Sequence, residues 1–205
     1  MTINKILISL SILIISFTVM SCSSQEYTTA KLAIQQSDFS KAAVWLPKAM
    51  KAEPENPEIP VVMGVEVHAR NEEWEEMVSM FKKAMAIDSL KKIEMPNRGT
   101  VYLPVNEWVN SFSDEYYVKE FNDGFNAYNS SKDTSASIRD SLIKRAIKKL
   151  DNASLIRPGD PKTKAYRSLF YSELKDTVNA KKLGFEALNM RKIVEGETSN
   201  ENVFR

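Results

Sequence analysis

The 205-residue chain holds one cysteine, Cys22, and one histidine, His68, and both scarcities are restrictive. A single thiol cannot close an intramolecular disulfide. One Cys and one His cannot assemble a Cys/His zinc set, and a Ser-His-Asp triad would rest on His68 alone. Glycine and proline are sparse, at 6 and 8 residues, and neither a glycine-rich phosphate loop nor a dinucleotide fingerprint occurs. Net charge is nearly absent: 28 basic against 27 acidic residues leave +1, no electrostatic footprint for nucleic acid. Ala, Lys, Glu and Leu are abundant instead, the composition of helices. These absences point to an all-α chain without cofactor, metal or nucleic-acid partner, and not to an enzyme.

Long apolar runs are lacking too, with one exception. Behind Lys5, residues 6–20 are apolar except for Ser and Thr. Fifteen helical residues reach about 22 Å at ~1.5 Å each, short of the ~30 Å hydrocarbon layer, so the run suits a signal-peptide core better than a membrane span. It ends on Val19-Met20-Ser21-Cys22, which resembles the bacterial lipoprotein box of an aliphatic residue, two smaller ones and Cys; Met20 departs from the small or β-branched residue usual there. The resemblance implies a signal peptide over 1–21, cleavage before Cys22, and acylation of its thiol and new amino terminus. Several acyl chains anchor stably where one holds only marginally. Ser23 stands where an Asp tends to retain enterobacterial lipoproteins at the inner membrane, so an outer-membrane lipoprotein facing the periplasm is expected. The mature chain would have 184 residues, with 27 basic and 27 acidic side chains. The alternative is an ordinary secretory signal beside an unrelated cysteine.

Internal repetition organises the remainder. KAMKAEPENP and KLDNASLIRPGDP share one spacing, Ala49, Pro54, Pro57 and then Ala153, Pro158, Pro161. Extended upstream, the pattern places a large apolar residue and a further Ala before it: Ala42, Leu46, Ala49, Pro54 and Ala146, Leu150, Ala153, Pro158. Degenerate copies stand at Met77, Phe81, Ala84, Ser89 and at Ala180, Gly184, Ala187, Lys192. Leading positions lie 35, 69 and 34 residues apart, so one register runs through the chain. Small Ala residues let helices approach closely while Leu46, Phe81 and Leu150 fill the space between layers. Pro54 and Pro158 stop a helix, and Pro57 and Pro161 suit the first turn of the next.

This pattern, with Tyr171, resembles the tetratricopeptide repeat, a helix–turn–helix unit, over roughly residues 26–191. The expected fold is an all-α, tetratricopeptide-like solenoid over 22–191, of about four repeats with an irregular middle. Helices are expected near 26–36, 39–52, 58–70, 73–87, 161–174 and 177–190, with Asn71 as N-cap of the fourth and Glu72, Glu73, Glu75 and Glu76 at its positive end. Residues 88–104 hold Pro96, Gly99 and Pro104 and form an insertion or a short broken helix; a degenerate fifth repeat is the alternative. A long helix follows over 105–129, then the loop SSKDTSAS and a helix ending at Ile156. The stretch 192–205 is a polar tail, expected to fray.

The family likeness implies a concave groove lined by the first helix of each pair, which makes Lys31, Gln35 and His68 candidate contacts; a surface or half-buried helix position is the plainer account of His68. The acidic run NEEWEE lies at a helix start, where a dipole role explains it and acid–base catalysis does not. Trp108, Phe112, Tyr116, Phe121, Phe125 and Tyr128 recur at helical spacings, mostly as core. Tyr116 and Tyr117 are adjacent and cannot both face inward, so one is a candidate contact for a sugar or peptide. Asp88-Ser89-Leu90, Asp140-Ser141-Leu142 and Asp176-Thr177-Val178 resemble the O-glycosylation acceptor of exported Bacteroidetes proteins, though capping also explains Asp at helix starts. The expected function is a lipid-anchored cell-envelope adaptor or scaffold for another protein or peptide. A glycan-binding envelope lipoprotein is the alternative, although such repeat-built lipoproteins are much larger.

Overall fold

The computed structural model describes the backbone of residues 23–201 and the side chains of 23–191. The expected signal peptide, Cys22 and residues 202–205 lie outside the described residues. Four helix pairs follow one another: α1 (Gln25–Gln35) with α2 (Phe39–Ala52); α3 (Glu58–Met63), continued by a π-helical segment (Gly64–Ala69), with α4 (Trp74–Asp88); α5 (Val105–Ser131) with α6 (Ala136–Ile156); and α7 (Pro161–Glu173) with α8 (Thr177–Glu201). Successive pairs pack through α2 on α3, α4 on α6 and α6 on α7. The fold is an all-α, tetratricopeptide-like solenoid.

Three of the four pairs turn in the same way. Ser37, Glu72 and Lys175 occupy the left-handed region, with φ of 60°, 57° and 61°. Each donates its N–H three residues back, and the next residue donates five back: Ser37 to Ile34 and Asp38 to Ala33, Glu72 to Ala69 and Glu73 to His68, Lys175 to Ser172 and Asp176 to Tyr171. This is a Schellman turn, which satisfies the last carbonyls of the first helix. An acidic residue opens the second helix in all three. The Asp38 carboxylate accepts from Lys41 N–H and that of Asp176 from Asn179 N–H. Glu73 is therefore the residue before α4, and Asn71, expected as its N-cap, is not; its side-chain amide lies 3.5 Å from Glu73.

The proline joints also match. Glu53 N–H reaches Ala49 O at 2.8 Å and Arg157 N–H reaches Ala153 O at 2.9 Å, after which Pro54 and Pro158 leave the helix. Repeat positions Ala42, Leu46, Ala49, Met77, Phe81, Ala84, Ala146, Leu150 and Ala153 are buried. In the last pair Ala180 and Gly184 are only half-buried. Gly64 permits the closest crossing: a Cβ there would meet the Phe81 ring at 2.8 Å.

Two segments differ from expectation. Of the two readings of residues 88–104, an insertion or a short broken helix, the second does not hold: they carry an antiparallel hairpin, β1 (Lys92–Glu94) paired with β2 (Tyr102–Pro104), Ile93 opposite Leu103. The tail does not fray at residue 193, since α8 continues to Glu201; Gly196 alone is too weak a breaker to end a helix.

Pairs two and three are also joined by charge. Glu120 is fully buried, and its carboxylate accepts from Lys149 at 2.8 Å and from Asn152 at 2.7 Å. Lys149 also reaches Glu72 at 3.2 Å, in the left-handed turn of pair two. That hydrogen bond holds the Glu72 carboxyl below its ordinary value. Its contribution to stability is therefore complete above the ordinary glutamate range and is lost as pH falls through the lowered value.

Two measurements check this account. Gly64→Val should destabilise by about 2–4 kcal/mol in urea unfolding, because overpacking at the Phe81 ring outweighs the helix propensity gained. Glu72→Gln should lower stability at neutral pH and flatten its decline below pH 4.5, so that wild type and variant converge in acid.

Candidate functional site

The hairpin positions the site. Its root is tied by Val105 N–H to Lys91 O at 3.0 Å and Asn106 N–H to Ser89 O at 2.9 Å. Ile93 and Met95 are each 1% exposed and belong to the core shared by the first three pairs. Inside that core the Trp108 indole N–H donates to Ile93 O at 3.1 Å. The tip turns through two left-handed residues, Asn97 (φ 63°) and Gly99 (φ 73°). From there Asn97 reaches α1, its amide donating to Ile34 O at 3.3 Å, while the Arg98 guanidinium lies 5.2 Å from the Phe112 ring of α5. The tip thus bridges first helices of different pairs and leaves a cleft on either side of Asn97.

The larger cleft, of about 600 Å³, lies between α1 and the tip. Thr28, Lys31, Leu32 and Gln35 form one wall, Met95 and Pro96 another, with Glu58 and Glu94 beside them. Burial pushes the Glu58 carboxyl up, against the hydrogen bond that the Tyr27 hydroxyl donates to it at 2.5 Å. Burial, then Glu58, raises the Tyr27 phenol well above its usual range. Lys31 stands 4.5 Å over the Tyr27 ring. The cleft presents a cation, two carboxylates and an apolar strip, a surface for a mixed polar and apolar segment.

The second cleft, of about 420 Å³, is lined by Glu66 and Arg70 of the π-helical turn, by Asn97 and Arg98 of the tip, and by Tyr116 of α5. Tyr116 stacks on Phe112 and tilts against Trp74, with centroids 6.3 and 5.5 Å away. Burial first, then the Glu115 charge, pushes its phenol up to about 12, so it stays protonated.

Lys31 and Gln35 therefore meet in the first cleft and Tyr116 lines the second. His68 lines neither: it is half-buried at the turn of pair two, its Nδ1 2.7 Å from Glu73 Oε2. Tyr117 faces the other way. It is 7% exposed, its hydroxyl donates to Asp160 at the start of α7, and the Arg157 guanidinium covers the ring at 5.1 Å. Burial and the Asp160 bond raise its phenol strongly. The run NEEWEE disperses: Glu72 joins Lys149 and Lys119, Glu73 joins His68, and Trp74 is buried. Glu58, Glu66, Arg70, Asn97 and Arg98 escaped sequence reasoning. Only the i,i+4 spacing of Glu66 and Arg70 carried a usable signal.

Among the described residues no group of three or more His, Cys, Asp or Glu side chains is arranged to hold a metal ion. Among them also, no helix is long and apolar enough to cross a membrane. No family model matches the chain, and no curated protein matches it by sequence. Solved structures to which it is similar include a MamA RS-1 double mutant, at 12% identity and TM-score 0.33, covering 85% of this chain and 99% of the other. Others are a MamA crystal structure, at 16% identity and TM-score 0.30, covering 82% and 96%, and MamA from Desulfovibrio magneticus RS-1, at 11% and 0.30, covering 83% and 98%. Superpositions this loose carry nothing about its role.

Trp108→Phe keeps the ring but leaves the buried Ile93 carbonyl without its donor, at a cost of about 1–3 kcal/mol. Hydrogen exchange should quicken over 92–104 while α7 is unchanged; uniform acceleration would show that the bond does not specifically hold the hairpin.

Proposed function

We propose that the chain is a lipid-anchored envelope protein that binds an extended segment of another protein along its first-helix face, as an adaptor or scaffold without chemistry of its own. The observation that carries this is the pair of clefts flanking Asn97, built jointly by α1, the π-helical turn, α5 and the hairpin tip. Together they offer both signs of charge, hydrogen-bonding side chains and an apolar wall, which suits a peptide of mixed character. Recognition modules place such groups on rigid elements, and here packed helices supply the rigidity. The protein partner and outer-membrane, periplasm-facing location belong to this proposal.

The anchor fits the geometry. Ser24 caps α1, accepting from Tyr27 N–H at 3.1 Å, and its own N–H donates to Glu53 at 2.5 Å. Acylated at Cys22, the chain would have two residue steps to that fixed point, a reach of about 7 Å at ~3.5 Å per step. The first pair, and the larger cleft beside it, would sit close to the lipid surface instead of on a long tether.

A crosslinking pull-down from native envelopes tests this, comparing full-length protein with Cys22→Ala, Leu32→Asp in the first cleft and Val178→Asp on the last pair. The expected result is one envelope protein captured by wild type and Val178→Asp, and lost with Leu32→Asp and Cys22→Ala. Capture indifferent to Leu32→Asp would rule out the cleft as the contact. Retention of polysaccharide, with no protein captured, would overturn the adaptor reading in favour of a glycan binder.

A further inference from the structure

We infer that the second cleft is a site for an oxyanion, a carboxylate or phosphate, carried by the segment that lies along the first-helix face. The segment comes from the adaptor reading; the oxyanion follows from the cleft alone. Glu66 is 3% exposed, a carboxylate taken almost wholly out of water. One of its oxygens accepts both from Nε of Arg70, at 2.9 Å, and from Nη2, at 2.7 Å. The Arg70 guanidinium is further fixed over the Phe39 ring, 3.7 Å from the centroid. A guanidinium has five N–H donors in a rigid fork, and Glu66 engages two groups of that fork. The Nη1 edge is left over, on a side chain 47% exposed at the cleft wall.

The opposite wall completes the donor set. Arg98 is presented by the left-handed turn at Asn97 and Gly99, residue types suited to that backbone shape. Its neighbouring carboxylate, Glu115, stands at 3.7 Å, beyond hydrogen-bond length, with side chains 42% and 52% exposed. Such a pair is weak and readily exchanged. Tyr116 adds a phenol with no acceptor assigned to it. Arg70, Arg98 and Tyr116 therefore line a space of about 420 Å³, and the one carboxylate lining it already holds Arg70 through one of its oxygens. The paired N–H groups of a guanidinium match carboxylate and phosphate oxygens. Glu66 is a positioning residue: it aims Arg70 and does not touch the ligand.

The test is calorimetric titration of the full-length protein in detergent, with three probes: a capped tetrapeptide containing one aspartate, its asparagine counterpart, and inorganic phosphate. The aspartate peptide should bind and the asparagine peptide should not. Arg98→Ala, at an exposed tip, should weaken binding about tenfold or more, the loss of one charge-assisted contact, and a distant Lys181→Ala should change nothing. Glu66→Gln discriminates further. Removing a negative charge beside an anion should tighten binding if Glu66 merely repels, and weaken it severalfold if Glu66 positions Arg70. Binding of phosphate but not of the aspartate peptide would keep the oxyanion site and name phosphate as its source. Indifference to Arg98→Ala, or tighter binding by Glu66→Gln, overturns the inference. If partner capture survives in Arg98→Ala and no probe binds, the adaptor reading stands and this one falls.

Discussion

The arrangement at the candidate site depends on one buried hydrogen bond, from the Trp108 indole to the carbonyl of Ile93. A three-residue strand pair has little cohesion of its own. What holds this one is its lower surface: Ile93 and Met95 sit inside a core that spans three helix pairs, and the Trp108 donor satisfies a carbonyl that would otherwise be orphaned there. With that bond in place the tip has only one course open to it, over α5 and out to the end of α1. Without it Asn97 and Arg98 would be loop residues, and the first-helix face would be one open trough instead of two clefts with opposite electrostatic character.

Beneath the hairpin the solenoid is built from two alternating joints, which differ in how they constrain residue choice. The joints after pairs one and three use proline, which ends one helix at Pro54 or Pro158 and begins or precedes the next at Pro57 or Pro161. In three of the four pairs the joint within the pair is a Schellman turn whose left-handed residue is Ser37, Glu72 or Lys175 and not glycine. Each accepts a steric penalty glycine would avoid, and tertiary packing holds it there. At Glu72 a compensation is visible, since the exposed turn carries a carboxylate to Lys149 of the following pair.

This difference explains what was legible in the sequence. The proline joints and the small Ala positions announce the repeat, and helices expected from them are present in all four pairs. Within the turns the signal was absent because no glycine marks them; Asn71 therefore looked like a cap two residues before the true one. The hairpin was equally hidden. Pro96, Gly99 and Pro104 exclude a full helix, but Lys92–Glu94 and Tyr102–Pro104 are too short to show strand alternation, and their pairing is imposed by the core beneath. Of the candidate contacts, Lys31 and Gln35, which the family likeness implied, and Tyr116, one of the two adjacent tyrosines, line the clefts. The side chains that complete the clefts come from that unreadable insertion. The adjacent tyrosines illustrate the limit: adjacency requires them to diverge, and only the Asp160 bond shows that Tyr117 is the one turned inward.

Two carboxylates are buried among the described residues, Glu66 and Glu120, and their surroundings separate structure from recognition. Glu120 is enclosed by Lys149 and Asn152, with Lys119 at 3.4 Å, so its charge is answered from several sides within pair three. Burial of that kind fixes how α5 sits on α6, and Lys119 and Lys149 carry the network on to Glu72 of pair two. Glu66 bears a similar desolvation penalty but has one cationic partner, and that partner is half in solvent and faces a cleft. A buried ion pair is a poor source of stability, because desolvation offsets most of its attraction. A carboxylate placed only to stabilise the π-helical turn would be better replaced by an apolar residue, as its neighbours Val65 and Val67 are. Its cost becomes intelligible if what it secures is the direction of Arg70, across a cleft whose other wall holds a second arginine.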